Sequence, residues 1–326
     1  MDPDVPALRR LCDLVSVATA CGPAVSWAVD RLDGWHATLL EDGFLFCRPS
    51  FGRIEDVRLL YMAHLDEVGG LVLEHQQDGS GFSTLTIGVP SAALAGRALL
   101  AMDYDDKTGA TVRPCSGVLV DGDLLLEGLG LRPYRTVFTF DETASLEGDW
   151  LCGKALDPRA TVFAVVEAAR LLARADVALM LVFAEECSSL PVQKAVEFAR
   201  RHLPGLAMTV NCDVPGLANV WGVALDECAV RITERGSIVD PHFSLNLYDE
   251  LLKAGCRISL ATARSGSLTS FFSPLCRVLS IALPVEHAHI ARSRVSLRAL
   301  GDLMQVLQAI PDTPSAARER KGRVWA

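Results

Sequence analysis

The 326-residue chain is half hydrophobic and 22% charged, which excludes a disordered polymer and leaves room for one large domain plus a smaller one. Its net charge of −9 argues against general binding to nucleic acid or anionic membranes, whose phosphates need clustered Lys and Arg. Ten cysteines with no Cys-x-x-Cys spacing exclude a zinc ribbon or redox motif and read as small core hydrophobes of a reducing compartment.

Met1-Asp2-Pro3-Asp4 carries acid where a secretory signal needs base, and no uncharged apolar run approaches the roughly 20 residues of a membrane span. A cytoplasmic location is therefore expected. Residues 5–32 predict two helices, broken at Cys21-Gly22-Pro23. Residues 35–46 alternate like a strand pair that turns near Glu41-Asp42-Gly43. Next comes the apolar run Leu59-Leu60-Tyr61-Met62-Ala63, which ends in His64 and continues as Leu65-Asp66-Glu67-Val68-Gly69-Gly70. A buried parallel strand would deliver a ligand to its carboxyl end in this way. Alternation puts His64 and Asp66 on one side, so the carboxylate can accept from one ring nitrogen while the other faces a metal.

After Gly70 the pattern changes to short strands with frequent turns: 82–87, 97–102, 110–120, 124–127 and 136–140. No helix of normal length is evident there, and residues 73–148 read as a small β-barrel-like domain inserted into an α/β domain of residues 1–72 and 149–310. An inserted module of this kind serves as a lid, a specificity wall or an oligomer contact. The α/β pattern resumes with an amphipathic helix at 159–175 and the strand at 177–183, which ends in Ala184-Glu185-Glu186. A helix through Val192 and Phe198 follows, then a strand ending at Val210 before Asn211-Cys212-Asp213-Val214-Pro215-Gly216. A strand at 228–232, a helix at 240–254 and strands at 257–261 and 277–283 follow, the last running into Pro284-Val285-Glu286-His287-Ala288-His289. A helix at 296–310 closes the domain, and residues 311–326 form a charged tail. Strands alternating with helices predict a mostly parallel mixed sheet flanked by helices, with ligands bound off the carboxyl ends of the strands.

The groups at those ends are His64 with Asp66, Asp157, Glu185 with Glu186, Asn211 or Asp213, and His289. Together they form a nitrogen and oxygen set suited to zinc, cobalt or manganese. Several carboxylates in one pocket repel unless divalent charge neutralises them. Two metals sharing one bridging carboxylate fit the count better than one. Glu185 and Glu186, adjacent on an extended segment, point in different directions. One can bind metal while its neighbour accepts a proton from water, the general-base task of metal-assisted hydrolysis.

His64-x-Asp66-Glu67-Val68-Gly69, Gly153-Lys154-Ala155-Leu156-Asp157-x-Arg159, Glu185-Glu186 and the late His289 resemble, in order and across roughly residues 8–310, the dinuclear metallo-aminopeptidases of the glutamyl and tetrahedral (TET) aminopeptidase type. The resemblance implies that His64 binds one metal, Asp157 bridges, Glu186 and His289 hold the second, Glu185 is the base and Asp66 orients His64. It also implies two divalent ions, zinc first with cobalt or manganese as alternatives, and short peptide substrates shortened from the N-terminus. A dimer-based homo-oligomer is implied as well, up to a dodecamer, with the insertion as the contact. The family's remaining ligand is an aspartate directly after the strand that here ends at Val210. Strict alignment puts Asn211 there; Asp213, two residues on and on the same face of an extended chain, is the favoured ligand. Asp213-Val214-Pro215-Gly216 also resembles a second, later aspartate of the family, in which case the ligand has become an amide.

Two departures stand out. Glu286-His287-Ala288-His289 replaces the family's Arg-Tyr-x-His, and Ser267-Leu268-Thr269-Ser270 replaces a Gly-Thr-Asp segment. They keep two rivals open: a related amide hydrolase such as a deacylase, and a catalytically impaired relative that binds or assembles. His287 is an alternative ligand or a flanking residue. His36, His75, His202 and His242 read as surface or turn histidines, and Arg231, Glu234 and Arg235 as a solvated edge. Cys187 and Cys212, beside the proposed site, lack a local His that would make either a nucleophile.

Overall fold

The computed structural model describes residues 1–317 apart from 235, 236, 239 and 267, so Arg235 and Ser267 lie outside the described residues. A ten-stranded sheet forms the heart of the molecule. Four strands at its centre, Val177–Val182, Leu59–His64, Met208–Asp213 and Arg277–Ala282, lie side by side and run parallel. Their side chains alternate between two cores. Tyr61, Ala63, Leu179 and Leu181 pack against the helices Val5–Asp13, Gly22–Arg31, Leu156–Leu172 and Leu297–Ala309. Leu60, Met62, Ala178, Met180 and Val182 pack against Leu190–His202 and Thr269–Phe272 on the other face. Burial on both faces is why residues 59–63 and Val177–Val182 read as continuous apolar runs.

The expectation of a mostly parallel sheet does not hold, because the strands outside this centre mostly pair antiparallel. The hairpin of Trp35–Leu40 and Phe44–Pro49 adds antiparallel strands at one end. Ala229–Glu234 runs antiparallel to Arg277–Ala282 at the other. Val220–Trp221 and Ser237–Ile238 also pair antiparallel, whereas Ser259–Ala263 is parallel to Ala229–Glu234. Hydrophobic periodicity locates a buried strand but carries no sign of its direction.

The six strands between Gly69 and Phe140 form a closed antiparallel barrel. Its core includes Val72, Leu99, Leu124, Leu126, Phe138 and Phe140. Gly69 and Gly70 let the first barrel strand lie close to Thr136–Phe140: a Cβ on Gly69 would lie 2.1 Å from the Phe138 carbonyl oxygen, and one on Gly70 2.3 Å from the Phe138 ring. A three-stranded sheet of Ser145–Glu147, Trp150–Gly153 and Ser293–Ser296 lies beyond the barrel. The helix expected to be amphipathic spans Leu156–Leu172 and is buried almost throughout as far as Ala169. All ten cysteines are free thiols and only Cys187 is exposed. Among the described residues no helix is long and apolar enough to cross a membrane.

Candidate metal and active site

The parallel strands set the site because they end on one level. His64 and Asp213 are the last residues of their strands, Glu185 and Glu186 follow Val177–Val182, and the segment carrying His289 follows Arg277–Ala282. Asp157 stands in the first turn of Leu156–Leu172 with non-helical φ and ψ of −89° and 108°. Left-handed residues aim these groups: Ala155 (φ 55°), Ala184 (φ 54°), His287 (φ 59°) and His289 (φ 64°). Each such non-glycine residue costs on the order of 1–3 kcal/mol, and such strain gathers at functional sites.

The side chains converge on Asp157. Its Oδ1 lies 3.0 Å from His64 Nε2 and its Oδ2 3.2 Å from His289 Nε2. On the His64 side, Asp213 Oδ1 is 3.8 Å from the same Nε2. On the His289 side, Glu186 Oε1 is 3.2 Å from that imidazole. Two triads therefore share one carboxylate: His64, Asp157 and Asp213, and Asp157, Glu186 and His289. Donor atoms of His64, Asp157 and Glu186 all fall within 4.8 Å of one another. Asp66 is fully buried beside them. Its Oδ1 accepts from the Glu185 N–H (2.9 Å) and its Oδ2 from the Glu186 N–H (3.2 Å). Oδ1 also faces His64 Nδ1 at 3.6 Å, too long for a hydrogen bond, and among the described residues Nδ1 has none. Asp66 thus fixes the backbone of the Glu pair more firmly than it fixes the imidazole.

Asp213 lines the cavity and Asn211 does not. Asn211 is buried within its strand opposite Met62 and Ser280, and among the described residues its Oδ1 has no hydrogen-bond partner. His287 lines the cavity outside both triads, and its carbonyl accepts from the Ser293 hydroxyl. His36, His75, His202 and His242 are exposed.

Arg231 and Glu234 are not a solvated edge. Both are buried, and Arg231 donates to Asp213 Oδ2 at 2.8 Å. No local pattern announces this pair, because partners 18 residues apart meet only through sheet order. Glu67, Lys154 and Arg159 belong to the motifs that carry the family resemblance, yet spacing alone assigns them no task. Lys154 Nζ donates to both Glu67 carboxylate oxygens at 3.0 and 2.9 Å, and Arg159 reaches Oε1 at 3.5 Å.

The electrostatics are those of an anion cluster short of cations. Burial, helped by the carboxylates of Asp213, Glu186 and Asp66, pushes Glu185 up to about 8. Burial also raises Glu186, against the pull of His289. Desolvation favours neutral His64 and His289, but the facing carboxylates outweigh it. His64 is held well above its usual range and His289 is pushed up to about 11. Asp157 falls to about 2 because its two imidazole partners outweigh its burial. Protons on the imidazoles thus supply positive charge that a divalent cation would replace, and the nitrogen and oxygen donors suit zinc, cobalt or manganese.

A cavity of about 760 Å³ opens over this cluster. One wall carries Val214, Pro215, Leu217 and Ala218; Ser265, Gly266, Glu286 and Ala288 close it. The barrel reaches the rim at Gly88 (φ +68°), where a Cβ would lie 2.8 Å from Glu186 Oε2.

No protein-family model and no curated protein matches the chain. Solved structures do. An aminopeptidase from the archaeon Desulfurococcus kamchatkensis superposes with a TM-score of 0.80 at 16% identity, covering 98% of both chains. The TET1 peptidase of Pyrococcus horikoshii gives 0.77 at 18%, covering 94% of this chain and 98% of its own. A Thermotoga maritima structure described as an endoglucanase gives 0.71 at 16%, covering 93% and 96%. Over nearly its whole length, this chain has the fold of the TET aminopeptidases.

Proposed function

We propose that the protein is a metal-dependent aminopeptidase that removes the N-terminal residue of short peptides. The observation that carries the reading is the position of Asp157, with a different imidazole on each of its oxygens and Asp213 and Glu186 completing a triad on either side. His64, Asp157 and Asp213 would hold one divalent cation and Asp157, Glu186 and His289 the other. When bound, the pair would supply Lewis-acid chemistry, polarising the scissile carbonyl and lowering the pKa of water in the cavity. Glu185 is the base: burial makes it a stronger proton acceptor than a free carboxylate, and with divalent charge beside it its carboxylate would be ionised, to take a proton from the attacking water and pass it to the leaving amine. Asp66 holds Glu185 in place through its backbone N–H. The apolar wall of Val214, Pro215, Leu217 and Ala218 takes the side chain of the residue removed and excludes water from it.

Zinc is the favoured metal. Self-association is part of the reading, since solved structures of this fold are described as a dodecamer and as a tetrahedron or octahedral shell, with the barrel as the contact and the cytoplasm as the location.

Metal-replete protein is to be tested on aminoacyl amides, short peptides, N-acylated amino acids and a soluble β-glucan. Aminopeptidase activity is expected, and Glu185→Gln is expected to lower it about 10²–10⁴-fold. Release of a carboxylic acid from acylated substrates only would make the protein a deacylase. New reducing ends from glucan would make it a glycosidase. No hydrolysis that depends on Glu185 would leave a binding or assembly protein.

A further inference from the structure

We propose that Arg231 is a positioning residue that makes the two metal positions unequal, the one built on His64 and Asp213 being the weaker. This rests on the two-cation reading above and goes beyond it. The two triads have one imidazole each and share Asp157, so in the kind of ligand they match, and the carboxylate that each adds, Asp213 or Glu186, sets them apart. Asp213 Oδ2 accepts from the Arg231 guanidinium at 2.8 Å, and Oδ1 accepts from the Val214 N–H at 2.9 Å. The guanidinium is fully buried and cannot swing away. A second nitrogen of its fork donates to the Ser265 carbonyl at 2.7 Å and approaches the Ser265 hydroxyl at 3.1 Å. Arg231 Nε lies 3.7 Å from Glu234. Among the described residues, the ion pairs of Asp157 and Glu186 are with imidazoles alone.

Two consequences follow for a cation bound beside Asp213. One oxygen is committed to Arg231, so Asp213 offers a single oxygen. The nearby fixed positive charge offsets the carboxylate and repels a divalent ion at low effective dielectric. Glu186 carries neither burden. An arginine guanidinium is a permanent charge. The inequality is therefore built into the fold.

Metal-free protein is to be titrated with Co(II), following the visible absorption of the bound ion and the heat of binding. Wild type is expected to take two equivalents, the second at least about tenfold more weakly. Asp213→Asn should lose the weaker equivalent and leave the tighter within about twofold. By removing a charge that repels the cation, Arg231→Leu should tighten the weaker position about tenfold and close the gap, whereas Arg231→Lys, which keeps the charge, should preserve it. Should Arg231→Leu fail to fold, Asp213→Asn decides alone: loss of the tighter equivalent, or of both, overturns the assignment. Equal affinities in wild type, or an Arg231→Leu variant whose gap is unchanged or wider, also overturn it and leave the aminopeptidase reading standing. No uptake by wild type removes the two-cation reading itself.

Discussion

Asp66 and Glu67 are neighbours in sequence, both buried, and serve opposite kinds of electrostatic environment: Asp66 holds the backbone of the anion cluster, whereas Glu67 pairs with cations. Glu67 is saturated. It accepts from the Ser16 N–H at 3.0 Å, the Thr139 hydroxyl at 3.0 Å and Lys154, with Arg159 close by. These donors come from the N-terminal segment, the barrel and the helix start, so one anion ties three parts of the chain together. The carboxylates of Asp157, Glu185 and Glu186 instead meet imidazoles or one another. The difference teaches how to tell a structural buried charge from a functional one: the first brings permanent cations of its own, the second leaves room for a cation that comes and goes.

The contrast can be broken from the saturated side first. Lys154→Met leaves Glu67 with too little compensation in a buried place and is expected to cost about 3–5 kcal/mol of stability, read by chemical denaturation. A loss under about 1 kcal/mol would mean that Glu67 is held by its neutral donors alone. On the functional side, ligating imidazoles must be neutral. The carboxylates facing His64 and His289 raise both imidazoles in the metal-free protein, and burial raises Glu185 to about 8, so zinc binding at pH 7.5 should release at least about two protons, with part of a further one from Glu185. Calorimetry in buffers of different ionisation enthalpy measures this number, and a value near zero would show that the imidazoles start neutral. The smallest effect is on metal-free stability. Glu185 is raised from 4.5 to about 8 and His289 from 6.5 to about 11. The folded state therefore keeps protons that the unfolded chain has released, and its stability falls as pH rises through those ranges. Melting temperatures of the stripped protein should decline from pH 6 to pH 10, and His289→Gln should flatten the upper part of the decline. A melting temperature that rises over this range would contradict the placement of the imidazoles.

How much of this could be read beforehand depends on the distance over which partners meet. His64 and Asp66 lie two residues apart at one strand end, and alternation assigns their faces; the extended segment expected for Glu185 and Glu186 is instead a turn, opened by the left-handed Ala184, whose carbonyl accepts from the Ser188 N–H at 2.8 Å. Two of the central strands announce themselves because burial on both faces leaves uninterrupted apolar runs, residues 59–63 and Val177–Val182. Strand direction does not show, since the pairing of Ala229–Glu234 with Arg277–Ala282 is decided by tertiary packing. The same holds for Arg231 with Asp213 and for Lys154 with Glu67, 87 residues apart. A charged residue in a polar neighbourhood reads as solvated until its partner is known, which is why Arg231 and Glu234 pass for surface. The small sheet of 145–147, 150–153 and 293–296 is invisible for a related reason: its strands of three or four residues are too short to establish a period.

The barrel's closure limits how copies of this chain can meet. Its six strands use one another's hydrogen-bonding edges, so the module has no ladder to lend to a neighbour, and contact through it must rely on the fit of side chains such as Val118 and the 90%-exposed Leu129. Such contact is a matter of shape and apolar area, sensitive to single substitutions and reversible on dilution. It does not propagate into the open-ended growth that an unpaired strand invites.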